Sequence, residues 1–223
     1  GCLMVSTEVI TDFLPFAGLS SKTLVCLANA CQMENYHPAE TVILEGEPAN
    51  AAFFVLQGEV KVYRMTRSGK EQVLARMKAG QSFNTIPLLD EEGITHSCVE
   101  TISQVTLLRI ARQDFLTLLQ TCPDFTFAML RDFTHRLKKM TDMVESFALH
   151  SVRSRLAQFL IRQADLGSHA PRYTRDDIAC EIGTVRDVVG RLLKSFEEDG
   201  YIRREGRRVI LQDRAGLEAE TDT

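Results

Sequence analysis

Six apolar residues past the middle of the chain repeat at intervals of seven, and this repeat limits the fold more than any other feature. Leu130, Leu137 and Val144 form one series; Phe133, Met140 and Phe147 form a second, offset by three. The positions between them are filled by Arg131, Asp132, His135, Arg136, Lys138, Lys139 and Asp142. A helix packed on its own domain shows a wider apolar stripe than this. A narrow seam of a and d positions over roughly three heptads predicts instead a long parallel dimerisation helix over residues 125–150. Its dimer interface is Leu130, Phe133, Leu137, Met140, Val144 and Phe147, and its partner is a second copy of the chain.

Ahead of that helix, Ser6 to Cys31 reads helical, with Leu24, Leu27 and Ala28 at helical spacing and Ser20-Ser21 as a cap. From His37 to Ile110 the period changes to two. Val60, Val62 and Arg64 alternate with Glu59, Lys61 and Tyr63, and Val99 to Ile110 is rich in β-formers. Turn signals separate the runs at Glu45–Pro48, Gln57-Gly58, Arg67–Lys70 and Ala79–Gln81. Short strands with regular turns predict an antiparallel barrel or sandwich. Gln113 to Gln120 reads as one short helix.

After Leu149 a second α-rich region begins, with Leu156, Phe159, Leu160 and Ala164 as an apolar face and a break from Gly167 to Pro171. Two short helices follow, then a Gly-centred hairpin and a polar tail. Thr174 with Asp177 predicts one helix cap, and Thr184 with Asp187 the next. Gly183 lies between them, where a tight bend needs positive φ. Ile178, Ile182, Val189, Leu192 and Leu193 supply the buried side. Arg186, Asp187, Gly190 and Arg191 share the exposed face near the start of the second helix, where a recognition helix meets base edges. Arg forks onto guanine, and a carboxylate accepts from cytosine N4. Gly190 lets that helix approach the groove closely. The hairpin Tyr201–Leu211 carries Arg203, Arg204, Arg207 and Arg208, a natural wing whose Arg207 and Arg208 face phosphates.

Net charge is −4, which by itself argues against nucleic acid. Its distribution argues the other way. Residues 1–150 hold 13 Lys+Arg against 17 Asp+Glu, whereas residues 151–214 hold 13 against 10, all but Lys194 of the bases being Arg. An acidic front and an Arg-rich back suit a sensor joined to a DNA binder. Six cysteines are scattered without a secretory start, which predicts reduced thiols and a cytoplasmic location, with no membrane partner. No Cys-x-x-Cys or His-x-x-x-His pair points to zinc, so no metal is assigned. There is no phosphate loop, nucleophile elbow or paired metal-ligand set, which argues against an enzyme.

With these residues placed, the chain closely resembles the CRP/FNR family of bacterial regulators over nearly its whole length. The front half does so through Gly46–Ala49, Phe53–Val60, Gly69–Glu71 and Gly80–Phe83, and the back half through Ile182–Arg191 and Glu198–Ile202. The resemblance implies an α+β protein in three parts. A cyclic-nucleotide-binding-like antiparallel β-roll forms a sensor over 1–124, the dimerisation helix spans 125–150, and a winged helix-turn-helix occupies 151–223. It implies that Arg186, Asp187 and Arg191 contact bases, with Asp187 where the family usually has Glu. Thr174, Arg175, Thr184, Arg207 and Arg208 then serve phosphate contact or capping. The expected partners are double-stranded DNA with a pseudo-palindromic site, a second copy of the chain, and RNA polymerase.

The expected effector pocket comprises Phe83, Asn84, Thr85, His96 and Ser97. In cyclic-nucleotide binders of this family Phe-Gly-Glu is followed by Arg-Ser-Ala; here the residues are Phe83-Asn84-Thr85 and His96-Ser97-Cys98. Both charged contacts are replaced, so cyclic AMP is not the expected ligand. An iron–sulfur cluster is not expected either: Cys26 and Cys31 lack a clustered third cysteine, the late β-roll position is Leu108, and Cys122 falls after the roll. Haem sensing of carbon monoxide or nitric oxide stays open, with His37, His96, His135, Cys2 and Cys98 as candidate ligands. A thiol switch through Cys26, Cys31 or Cys98 stays open as well, as does DNA binding without any effector. The rival from another class is an interaction module whose helix-turn-helix serves protein contacts.

Overall fold

Strand β3 (Ala51–Gln57) explains why the roll holds two cores rather than one. Its sequence Ala-Ala-Phe-Phe-Val-Leu-Gln is apolar without alternation, and Ala51 to Val55 are all buried. Phe53 and Val55 point into one core and Ala52 and Phe54 into the other. A continuous apolar run is what a strand covered on both faces requires. The computed structural model describes residue 10 and residues 16–66, 69, 71–167, 173–205 and 208–222. The chain divides into two compact units, residues 1–136 and 137–223.

In the first unit, β1 (Cys31–Tyr36), β2 (Thr41–Ile43), β4 (Glu59–Met65), β5 (Glu71–Lys78), β6 (Ser82–Phe83), β7 (Cys98–Thr101) and β8 (Val105–Ala111) join β3 in two four-stranded sheets. Their orders are β1-β8-β3-β6 and β2-β7-β4-β5, and every pairing is antiparallel. Ile43, Phe53, Val60, Phe83, Val99 and Leu107 belong to the core bounded by strands of both sheets. Helices α1 (Ser21–Ala30) and α2 (Arg112–Thr121) contribute Leu27 and Phe115 to the other core, with Phe16, Phe54, Leu108, Ile110 and Phe125. Gly58 turns β3 into β4 at φ +86, and a β-carbon there would run into the Gln104 carbonyl.

Two local expectations need correction. The helical segment expected from Ser6 to Cys31 is not continuous: Phe16 to Leu19 form a turn and α1 starts afresh at Ser21, where the Ser20 hydroxyl accepts from the Thr23 N–H at 3.3 Å, while Ile10 ahead of the turn is helical. The rest of the expected helix, residues 6–9 and 11–15, lies outside the described residues, as do Cys2, Arg67, Ser68 and Lys70. Tyr63 is buried although the alternation predicts it outward. Tyr63 keeps to the face of Lys61, whose ammonium lies 4.7 Å from its ring centre and helps to cover it, while the register shift opposite Val62 and Tyr63 falls in β5.

Helix α3 (Pro123–Leu149) is 27 residues long, about 40 Å at 1.5 Å per residue. Near its start Asp124 accepts from the Ser20 N–H at 2.8 Å and the Thr23 hydroxyl at 2.6 Å. These bonds, the Thr23 one foremost, hold its carboxyl down at about 2. Because the folded pKa is depressed, the stabilisation is complete above the ordinary carboxylate value and is lost as pH falls through about 2. Asp124→Asn is expected to flatten the stability profile between about pH 4 and pH 2, read by chemical unfolding at each pH. A profile unchanged from the parent would show that the carboxylate contributes nothing there.

Along α3 the seam residues are solvent-exposed: Leu130 52%, Leu137 66%, Met140 64%, Val144 64% and Phe147 44%. Phe133 is the exception, half-buried against the core of the first unit. No helix among the described residues is long and apolar enough to cross a membrane.

In the second unit, α4 (Val152–Leu166), α5 (Arg175–Ile182) and α6 (Arg186–Glu198) surround Leu156, Phe159, Ile178, Val189, Leu193 and Phe196. Ala164, expected on the apolar face, is exposed, and Ala157 is buried instead. The strands β9 (Ile202–Glu205) and β10 (Arg208–Leu211) form the antiparallel hairpin. The tail, expected only to be polar, forms helix α7 (Arg214–Ala219) and a 3-10 turn (Glu220–Asp222). Asp213 caps α7 by accepting from the Gly216 N–H at 3.0 Å, and Leu217 is fully buried.

Candidate nucleic-acid interface and effector pocket

The bend between α5 and α6 is held by local chemistry. Thr174 and Asp177 form a reciprocal capping box: the Thr174 hydroxyl accepts from Asp177 N–H at 3.2 Å, and the Asp177 carboxylate accepts from Thr174 N–H at 2.6 Å. Gly183 ends α5 in the left-handed region at φ 66, ψ 55. A β-carbon there would also run into the Phe147 ring. Arg155 reinforces the corner, donating to the Ile182 carbonyl at 2.9 Å and the His150 carbonyl at 2.7 Å, with its guanidinium over Phe147. Gly183→Ala is therefore expected to destabilise the second unit by about 1–2 kcal/mol for the left-handed backbone, with the displaced ring adding to it. A thermal melt equal to the parent's would contradict this.

Thr184 does not cap α6. The residue at the N-cap is Val185, with no side-chain bond, and Thr184 belongs to the turn, its N–H donating to the Ala179 carbonyl at 2.8 Å. The helix thus starts one residue later than the Thr184–Asp187 pair predicts.

Arg186, Asp187 and Arg191 are all exposed on α6. Arg186 makes a loose ion pair with Asp176 at 3.7 Å. Asp187 and Arg191 make no hydrogen bond or ion pair among the described residues. Gly190 has room: a β-carbon would lie 3.5 Å from the tip of Arg175, so space within the unit does not demand glycine there. Thr174, Arg175, Arg186 and Arg208 line one groove of about 510 Å³; Asp187 and Arg191 are not among its lining residues. Arg207 lies outside the described residues.

The hairpin arginines differ in their engagement. Arg208 is exposed, and Arg203 pairs with Glu205 at 2.6 Å. Arg204 turns back onto Glu197 of α6, its Nε 2.7 Å from Oε2 and its backbone N–H 3.1 Å from Oε1, which ties the wing to the helix. Arg153 is a second tie that sequence reading missed. It donates to Glu220, Asp199 and Ser195 and covers the Phe196 ring at 4.5 Å. These hydrogen bonds, Glu220's foremost, hold its pKa above the ordinary guanidinium value.

In the first unit, Phe83, Asn84, Thr85, His96 and Ser97 line one cavity of about 240 Å³ with Val62, Met77, Ile86, Pro87, Val99 and Arg136. Phe83 stacks on Phe53 with ring centroids 5.1 Å apart. Asn84 adopts φ 57 and donates to the Ala51 carbonyl at 2.9 Å. Thr85 is 1% exposed, and its hydroxyl oxygen is buried without a hydrogen-bond partner among the described residues. His96 is exposed, 3.9 Å from Asp90. Arg136, also missed from sequence, donates through Nη2 to the Ser82 carbonyl and hydroxyl, both at 2.6 Å, and pairs with Asp132 at 2.8 Å. Its i, i+4 spacing from Asp132 was legible, but its reach to Ser82 was not.

The candidate haem ligands are not gathered at one place among the described residues. Of the candidate ligands among the described residues only His96 lines the cavity, and about 240 Å³ falls below the roughly 300–1,000 Å³ of drug-sized ligand pockets. His37 and His135 are exposed elsewhere on the unit. Burial pushes the Cys31 thiol up to about 12, which makes it a poor redox nucleophile.

Comparison with known proteins assigns one family to each unit. Residues 33–122 match the cyclic nucleotide-binding domain, and residues 154–220 match the Crp-like helix-turn-helix domain. The chain is 26% identical over 211 residues to the cAMP-activated global transcriptional regulator CRP of Haemophilus influenzae, covering 92% of this chain and 94% of that one. It is 27% identical over 214 residues to the CRP-like cAMP-activated global transcriptional regulator of Mycobacterium tuberculosis, covering 92% and 95%. The fold is similar to the c-di-GMP responsive global regulator CLP of Xanthomonas campestris, with a TM-score of 0.70 at 23% identity over 86% of this chain and 99% of that one.

Proposed function

The chain belongs to the CRP/FNR family of DNA-binding transcription regulators, and we propose that it acts as a homodimer reading a pseudo-palindromic site. In this reading residues 1–124 sense, 125–150 dimerise and 151–223 bind DNA. Arg186, Asp187 and Arg191 contact bases. Thr174, Arg175, Thr184, Arg207 and Arg208 serve phosphate contact or capping, and RNA polymerase is the protein partner. The observation that carries it is the exposed face of α6, where Asp187 and Arg191 stand without a partner among the described residues. Charged side chains with no internal role, on a unit whose groove is lined by four further arginines of the hairpin and helices and by Thr174, are positioned to be completed by a ligand with base edges and phosphates.

Cyclic AMP is not the effector in this reading, although the relatives' names include it. Among the described residues the cavity's one arginine is already paired with an aspartate, and no carboxylate lines the cavity to hold a ribose. The test is a shift assay on a pool of random-sequence duplexes, with and without cyclic AMP. Sequence-selective retention that cyclic AMP does not alter is expected. Equal retention of all sequences would favour the interaction module, and selectivity that appears only with cyclic AMP would overturn the effector reading.

A further inference from the structure

We infer that Phe147 is a positioning residue for DNA reading: its ring locks the helix-turn-helix bend onto the end of α3 and so fixes where α6 stands relative to the dimer axis. The inference rests on the proposed homodimer, and it takes Phe147 out of the seam that its heptad position predicts.

The part of α3 from Leu137 onward belongs to the second unit, the same compact body as α4, α5 and α6. Contacts inside that unit converge on its last turns. The Phe147 ring occupies the space that a β-carbon on Gly183 would need, three residues before Arg186 opens α6. The Arg155 guanidinium lies 4.4 Å from the centre of the same ring. Its Nε donates to the Ile182 carbonyl at the end of α5, at 2.9 Å, and its Nη1 to the His150 carbonyl just past α3, at 2.7 Å. Arg155 is buried, and its charge is met by the two carbonyls and the ring face together. Only His150 and Ser151 separate α3 from α4, so the connection has little slack. Lys139 and Glu181, 3.4 Å apart, link α3 to α5 as well, but both are exposed and the pair adds little. Phe147 is also less exposed than Leu137, Met140 or Val144, the seam residues of the same unit. A reading helix free to swing about its hinge would serve half-sites at several spacings. One locked through this ring serves a single spacing.

The test uses the full chain and duplexes carrying one selected half-site, or two as an inverted repeat at varied spacing. Phe147→Ala is expected to stay dimeric in sedimentation at concentrations where Leu137→Glu dissociates. It is expected to bind the single half-site within about twofold of the parent, while its preference for the best spacing over one lengthened by half a turn falls about tenfold. Phe147→Leu keeps apolar bulk but gives Arg155 no ring face; it is expected to fall between the two, and it replaces the alanine variant if a melt shows that one unfolded. A double-mutant cycle reads the contact without DNA. Gly183→Ala is expected to lower the melting temperature less in the Phe147→Ala background than in the parent, because the ring that the new methyl would meet is gone. A half-site affinity that falls as far as the inverted repeat's, dissociation like that of Leu137→Glu, or additive melting shifts would each overturn the inference. A parent that selects a half-site but ignores spacing removes the proposed dimer and the positioning role with it. A parent with a sharp spacing maximum that Phe147→Ala keeps removes the positioning role alone.

Discussion

Leu137→Glu is expected to convert the proposed dimer to monomer while leaving each unit folded. Leu137 is 66% exposed in the single chain, so the change removes nothing from an internal core. In a dimer whose seam includes it, two copies would each forfeit about 2 kcal/mol of apolar burial. Each would also place a carboxylate against an apolar surface at an effective penalty of several kcal/mol. The sum exceeds roughly 6 kcal/mol, more than about four decades in the dimer dissociation constant. Sedimentation reads the result directly, and circular dichroism confirms that α3 persists. Lys138→Glu, on the polar face of the same helix, is the matched control and is expected to leave the dimer intact. An intact Leu137→Glu dimer would remove the heptad seam from the account.

Arg191→Ala carries the other large effect. Arg191 has no intramolecular hydrogen bond or ion pair among the described residues, so its removal is expected to shift stability by no more than about 0.5 kcal/mol. A guanidinium forked onto guanine is worth about 1–3 kcal/mol of discrimination, and a two-fold site uses it twice. The specific affinity is expected to fall about tenfold or more per half-site, with non-specific affinity nearly unchanged. Affinity measured against salt separates base contact from phosphate contact. Equal losses on specific and random duplexes, with a salt slope reduced by about one charge, would make Arg191 a phosphate contact instead.

Local signals carried most of what was legible. The capping box at Thr174 and the bend at Gly183 depend on residues within a few positions, and both are visible as spacing. Tyr63 illustrates the first kind of failure. It stays on the outward-reading face of β4 yet is buried, partly under the Lys61 side chain, and alternation reports a face but not what covers it. Thr184 illustrates the second, a cap signal misplaced by one residue because the turn extends through Thr184, whose N–H donates back to Ala179. Helix α7 was missed because it has six residues and one buried apolar side chain, Leu217, too little for a period. Among the arginines, composition alone could not separate Arg204 and Arg153, which tie elements together, from Arg191, which faces outward. The five expected pocket residues do share one cavity, but Arg136 joins them from a helix distant in sequence.

In the proposed dimer, a shared helix sets the distance between two DNA-reading helices. The direct measurement is affinity against half-site spacing, on duplexes carrying two copies of the selected half-site as an inverted repeat. A sharp maximum is predicted with centres about 34 Å apart, one turn of DNA. Loss of that affinity is predicted when about half a turn is inserted, since the second half-site then faces away. Affinity indifferent to spacing would contradict the dimer, because independent monomers are the arrangement that produces such a profile.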